Sequence, residues 1–300
     1  MPEDKRSFLD PAVLGRLMAL PLHARHPMLG SVSGKHRSPV RGSALEFAQY
    51  RKYVPGDDPR RLDWRTWGRS DRFYIKQFEA DTNLRLCLLV DTSGSMDYGP
   101  AGATRFDYAR KLAGSLAYFA AEQGDAVGLW SIADKPVEIP AKRGPGHLGQ
   151  VLDRLAELKP KGGTTLLTAL HEAAERIRQR ALVVIFSDFF VEPGELKSAF
   201  QHLRFRKHDV AAFHLLDKKE LDFDFDRPAR FVDMEGGDPV MCDPSLIARN
   251  YREAVRRYTV ELDEVVRATA VDYQRALLQE KYDDVLARFL LARIPNHSAR

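Results

Sequence analysis

The sequence predicts an α/β fold: a doubly wound, mostly parallel sheet flanked by helices. Three observations lead there. Residues 84–90 and 181–187 are strand-length runs of apolar and β-branched residues, as strands buried on both faces are. Each run delivers an aspartate at its carboxyl end, Asp91 and Asp188, where open α/β sheets bind their ligands. From residue 84 onward, strand-length runs alternate with segments of helical period.

Taken in order, residues 1–40 read as a short helix over 10–19 and then a basic Gly/Ser linker, GSVSGKHRSP. Asp10 followed by Pro11 is ordinary helix-start chemistry. Residues 41–83 form a collar segment dense in aromatics, arginines and acids. It holds Trp64 and Trp67, turn signals at Pro55-Gly56 and Asp58-Pro59, and one alternating stretch, 72–78, that predicts a strand.

The main domain is expected over 84–292. Its strands are 84–90, 126–132, 181–187, 210–216 and 270–277. Its helices are 104–122, 148–158, 165–179, 195–203, 244–267 and 281–291. Residues 220–267 interrupt the alternation with short acid-rich extended pieces and one long helix, so they read as an elaboration within the domain; 293–300 is a tail.

Composition narrows the function classes. A chain that is 44% hydrophobic and 29% charged can bury a core, so it is neither disordered nor a disulfide-stapled mini-protein. Two cysteines, Cys87 and Cys242, make no disulfide framework and fit a reducing compartment. No run reaches the roughly 18 apolar residues that cross a bilayer, and the N-terminus lacks the build of a secretory signal. A soluble cytoplasmic protein is expected. The first 80 residues hold 15 basic and 9 acidic residues, a net +6, which leaves −2 for the remainder. A basic front half reads first as a solvated surface, because no nucleic-acid motif accompanies it.

The chemistry concentrates in three strings. Asp91-Thr-Ser93-Gly-Ser95-Met96 follows the first buried strand, Gly162-Gly-Thr164-Thr165 opens a helix, and Ile185-Phe-Ser-Asp188 ends a later strand. Asp91, Ser93 and Ser95 are two residues apart, so an extended loop turns three oxygens toward one point, and Gly94 lets it bend. Two carboxylates and three hydroxyls, with no imidazole or thiolate, are a hard-oxygen set suited to Mg²⁺ or Mn²⁺. Other strings carry less. The first acid motif lacks the second acid of a phosphoryl-accepting site. No G-x-S-x-G elbow or Walker lysine occurs. His171-Glu172-x-x-Glu175 has Glu where a zincin helix needs its second histidine.

DTSGSM, GGTT and the strand-end aspartate resemble the metal-ion-dependent adhesion site of von Willebrand factor type A domains. That resemblance implies Asp91, Ser93, Ser95, Thr164 and Asp188 as the metal set. The usual T-D-G is here Ser187-Asp188-Phe189, which keeps the ligand and changes the loop. The collar string EFAQYRKYVPGDDPRRLDW, residues 46–64, resembles the signature of bacterial domain-of-unknown-function-58 proteins, with Leu62 in place of Ile. The resemblance implies a MoxR-type AAA+ ATPase partner that supplies an acidic residue to the metal. Arg51, Asp57, Asp58, Arg60, Asp63 and Trp64 either fasten the collar to the domain or face that ATPase. The expected function is a non-enzymatic, metal-dependent protein-binding module. The competing classes are a metal-dependent hydrolase using the same ion and a nucleic-acid binder using the basic collar.

Overall fold

In the computed structural model, residues 6–25, 84–133, 135–163, 165–225, 227 and 229–294 are described, with the backbone of 37–38, 46–52 and 74–81. Two units are distinguished, His26–Leu84 and the rest of the chain.

The larger unit starts with α1 (Pro11–Leu17), whose first turn is capped by the Asp10 carboxylate accepting from the Ala12 N–H. The smaller unit is a three-stranded antiparallel sheet of β1 (Arg37–Ser38), β2 (Glu46–Lys52) and β3 (Tyr74–Asp81), in the order β1-β3-β2. The β2–β3 register shifts between Phe47 and Gln49. Alternation at 72–78 anticipates β3, whereas β2 lacks a usable periodicity and is missed by the sequence reading.

The main sheet consists of β4 (Arg85–Asp91), β5 (Ala126–Ile132), β6 (Glu138–Lys142), β7 (Leu182–Ser187), β8 (Asp209–Leu216) and β11 (Asp272–Leu277). Its order is β11-β8-β7-β4-β5-β6, parallel except for the β5–β6 edge pair. This is the doubly wound order 3-2-1-4-5-6. Strand β6 escapes sequence detection because Pro140 and its charged neighbours read as loop. On an edge strand both are tolerated.

Between the strands lie α2 (Arg105–Glu122), α3 (Pro145–Glu157), α4 (Leu166–Arg176), α5 (Pro193–Phe205) and the single-turn α6 (Lys218–Asp222). A two-stranded hairpin follows, β9 (Ala229–Phe231) and β10 (Val240–Cys242), then the long α7 (Pro244–Thr269) and the closing α8 (Tyr282–Ala292).

Alternation along β4 sends Cys87 and Leu89 to one face and Leu86, Leu88 and Val90 to the other. The first face packs on Leu170 and Ala173 of α4, Leu196 and Phe200 of α5, and Leu262 and Val265 of α7. Helices α2, α3 and α8, with α1, cover the second.

At the amino ends of the strands, fully buried Arg293 bonds Asp209 Oδ2 at 2.8 Å and Asp272 Oδ2 at 2.9 Å, and also the His23 carbonyl. The string at His171 is structural here. His171 Nδ1 lies 2.9 Å from His202 Nδ1, and Glu175 bonds His202 and Arg206, so the group ties α4 to α5. No described helix is long and apolar enough to cross a membrane.

Buried His208 yields a pH prediction. Its Nδ1 accepts the Ala181 N–H at 3.2 Å, and burial, then Arg206 and Arg180, push the imidazole down to about 4. The unfolded chain takes up a proton near pH 6.5 that the folded chain refuses, so this contribution is present above 6.5 and is lost as pH falls toward 4. Wild type is expected to lose up to about 3 kcal/mol more than His208→Gln over that window, by urea unfolding. Equal pH slopes would refute it.

Candidate functional site

The chain leaves β4 to build β5 and β6 on one side, then returns to place β7 on the other. The β4–β7 boundary is therefore the topological switch point. Val90 pairs with Phe186, so Asp91 and Ser187 emerge side by side and Asp188 follows at the same edge.

Asp91 is buried and is held by two neutral donors. Its Oδ1 accepts the Ser93 N–H at 2.9 Å, and its Oδ2 accepts the Ser187 hydroxyl at 2.6 Å. Burial, reinforced by the charge of Asp188, pushes its carboxyl up to about 6, while the Ser187 and Ser93 donors pull the other way. Ser93 is buried and Ser95 half-buried, with their hydroxyl oxygens 3.0 Å apart.

The loop is laced to its neighbours. Gly94 N–H donates to the Gly162 carbonyl at 2.8 Å, and Lys161 N–H donates to the Thr92 carbonyl at 2.8 Å. The Thr92 hydroxyl donates to the Ile132 carbonyl at 2.9 Å. Gly162, with φ +86°, uses the left-handed region that glycine supplies freely.

Asp188 is held differently. Its Oδ2 meets Arg105 Nη1 at 3.2 Å, and its Oδ1 accepts the Phe190 N–H at 3.3 Å. Phe189 occupies the glycine place of the T-D-G pattern and takes the left-handed conformation itself, φ +50°. That costs about 1–2 kcal/mol. Burying the ring offsets the cost, at 6.1 Å from Phe200 and 5.7 Å from His214 between centroids. The Phe189 N–H donates to Ser187 Oγ at 2.9 Å, and the Tyr258 hydroxyl donates to the Phe189 carbonyl.

Three participants escape the sequence reading. Arg105, the first residue of α2, is buried and bonds Asp188, the Ser95 carbonyl at 3.0 Å and Glu220, over the Tyr98 ring at 4.9 Å. No local signal marks it out among the chain's 46 lysines and arginines. Ser187 follows only from the β4–β7 register. His214 is distant from all three loops in sequence and reaches the site only through the β7–β8 register. It pairs with Ser187 in register, bonds the Tyr273 hydroxyl and the Asp188 backbone, and is kept neutral by burial, pushed down to about 3.

The expected metal residues thus divide. Asp91, Ser93 and Ser95 lie together, and Asp188 lies beside them in contact with Arg105. Thr164 falls outside the described residues, as do Asp57, Asp58, Arg60, Asp63 and Trp64. Arg51 is described only as backbone, in β2 opposite Ile75. Among the described residues no group of three or more His, Cys, Asp or Glu is arranged to hold a metal. With these residues a cation would therefore have to use hydroxyls.

The donor set fits a hard cation on two observations. Among the described residues the hydrogen-bond donors to the buried Asp91 carboxylate are neutral, and the Thr165 hydroxyl, next in the chain to Thr164, is buried without a hydrogen bond.

Removing the Ser187 donor leaves the Asp91 carboxylate under-satisfied. Ser187→Ala is expected to cost about 1–3 kcal/mol of unfolding free energy in metal-free buffer. Ser95→Ala, at a half-buried position, should stay within about 0.5 kcal/mol. Chemical denaturation compares the two, and equal effects would contradict this account of Asp91.

The family described as "Protein of unknown function DUF58" matches residues 49–261. The uncharacterized proteins Mb1516 of Mycobacterium bovis and Rv1480 of Mycobacterium tuberculosis are each 30% identical over 217 residues, 71% of this chain and 68% of the relative. YeaD of Bacillus subtilis is 29% identical over 109 residues, 36% of this chain and 25% of that protein. Among solved structures, an aerotolerance-related membrane protein of Bacteroides fragilis is similar over 69% of this chain and 96% of its own, at 14% identity and a TM-score of 0.46. BatB of Bacteroides thetaiotaomicron covers 70% and 98%, at 15% identity and 0.43. At these scores the architecture rests on the strand pairing above rather than on the likeness. The match over residues 49–261 does establish kinship: this chain belongs to the DUF58 family.

Proposed function

We propose that this chain is a non-enzymatic protein-binding module that docks through a divalent cation at the carboxyl end of β4. One observation carries the reading: Asp91, Ser93 and Ser95 are gathered at the switch point, and among the described residues the hydrogen-bond donors to the buried Asp91 carboxylate are neutral. Mg²⁺ or Mn²⁺ would be held by Ser93, Ser95 and Asp91. Thr164 and Asp188 would contribute directly or through water. When bound, the ion supplies an electrophilic centre for an outside carboxylate.

The chain's own residues do the positioning. The Ser93 N–H and the Ser187 hydroxyl fix the Asp91 carboxylate, the Gly94–Gly162 bond sets the loop, and Arg105 balances Asp188. A hydrolytic reading needs a base facing the ion. The imidazole near the site, His214, is already engaged by Tyr273 and the Asp188 backbone.

The partner we propose is a MoxR-type AAA+ ATPase presenting an Asp or Glu, met in the cytoplasm. This rests on the family resemblance of the collar and on the carboxylate-accepting character of the site.

A ligand that binds only the folded state stabilises it, by about 2.7 kcal/mol at a hundredfold excess over Kd. Millimolar Mg²⁺ or Mn²⁺ is expected to raise the melting temperature of wild type by several degrees and that of Asp91→Ala not at all. Capture of the ATPase should weaken with chelator. A wild-type melting curve indifferent to both ions would overturn the metal reading.

A further inference from the structure

The elaboration between β8 and α7 returns over the candidate site. The backbone of Met234, in the turn between β9 and β10, presses on the DTSGS loop: a Cβ placed on Gly94 would lie 2.0 Å from the Met234 carbonyl oxygen and 2.8 Å from its carbon. Gly94 is therefore required for a close approach of two backbones rather than for a left-handed φ.

The hairpin is firmly rooted and lightly held. Its root is an aromatic cluster: Phe223 lies 4.3 Å from Tyr251 of α7 and 6.0 Å from Phe231, and Phe225 lies 5.3 Å from Phe231. Just before it, Glu220 of α6 pairs with Arg105, the same guanidinium that bonds Asp188. Beyond the root, three cross-strand pairs, Ala229 with Cys242, Arg230 with Met241 and Phe231 with Val240, form a two-stranded sheet separate from the main one. Such a hairpin is marginal by itself. Within the tip, Asp233 Oδ1 accepts the Glu235 N–H at 2.8 Å. Val232, Met234, Val240 and Met241 remain exposed, so little apolar burial holds the tip down.

We propose that the 229–242 hairpin is a strap that closes over the 91–96 loop, opens without unfolding of the domain, and controls access of a protein ligand to that loop. The occupant of the loop's open face is thus a segment of this chain, which an incoming carboxylate must displace. The glutamate–arginine pair at the strap's root connects it to Asp188 through one side chain. This inference rests on the docking reading of the site, but the strap's motion and cover are both measurable without a cation.

Two measurements on the full chain test it. Hydrogen exchange is expected to show the amides of 229–242 opening far faster than those of β4 and β7. Exchange of the strap only at the rate of those core strands would overturn independent opening.

Cover is read by thiol labelling. In a Cys242→Ser background, Ser95→Cys reports access of a maleimide to the loop without metal. Because Phe231 pairs with Val240, residues 232–239 can be replaced by a two-residue Asn-Gly turn that preserves the hairpin and removes the tip. Labelling is expected to accelerate at least tenfold in that variant, and likewise in Gly94→Ala, where the added methyl displaces Met234. Unchanged labelling in the tip-replaced variant would overturn the strap, while leaving the melting response to Mg²⁺ as a separate test of the cation. Because the tip-replaced variant leaves the loop sequence intact, the test does not depend on Gly94→Ala folding.

Discussion

Two parallel strands that end together set the terms for everything at this edge of the sheet. Once β4 and β7 are paired with Val90 opposite Phe186, two acids must share one small, partly buried space. Like charges so placed oppose each other's ionisation, and burial opposes it further. With Asp91 pushed up to about 6 from an ordinary 3.8, ionising it in the fold is disfavoured by about 3 kcal/mol. The surrounding structure is a response to that strain. Hydroxyl and amide donors converge on Asp91, and an arginine converges on Asp188.

The division of labour between these donors is informative. Arg105 joins Asp188, Glu220 and the Ser95 carbonyl, and its guanidinium is almost wholly buried. Removing one partner of such a pair leaves a stranded charge, so Arg105 is a fixed part of the architecture. Its charge is spent on Asp188 and Glu220. Among the described residues Asp91 receives neutral donors, the Ser93 N–H and the Ser187 hydroxyl. A mobile cation is therefore best matched to Asp91 and its two serines, with Asp188 a participant only to the extent that Arg105 yields. Of the five residues that the motif implies, Asp188 is thus already engaged, by one residue at the start of α2.

What could be read in advance follows the range over which each feature is encoded. The central strands and all the longer helices were legible because burial on both faces leaves unbroken apolar runs and because helical period is local. Asp91, Ser93 and Ser95 were legible for the same reason, being consecutive in one loop. Ser187 was not, since its role exists only through the register of a strand ninety-odd residues away. Arg105 and Glu220 were not, since an ion pair between α2 and α6 has no local signature. Strand β6 was hidden by Pro140, whose lack of an N–H matters little on an edge. Phe189 departs from the glycine of the T-D-G pattern. The structure shows how the departure is borne: the positive φ is kept, and the ring is sunk between Phe200 and His214.

That substitution has a mechanical consequence. A glycine after Asp188 would leave the aspartate on a pliable turn. Phe189 instead anchors the turn from both sides, its ring in the core and its carbonyl under the Tyr258 hydroxyl of α7, while His214 holds the Asp188 backbone. Asp188 is thus positioned by β8 and α7 as well as by β7. Helix α7 is also where the strap is rooted, through Tyr251 and Phe223. The carboxylate that faces Arg105 and the hairpin that lies on Gly94 therefore share one rigid support. A load on the strap reaches the site through α7 and Tyr258, and through α6, Glu220 and Arg105. Two such routes converging on one aspartate make its position, rather than its presence, the quantity that a docked partner would alter.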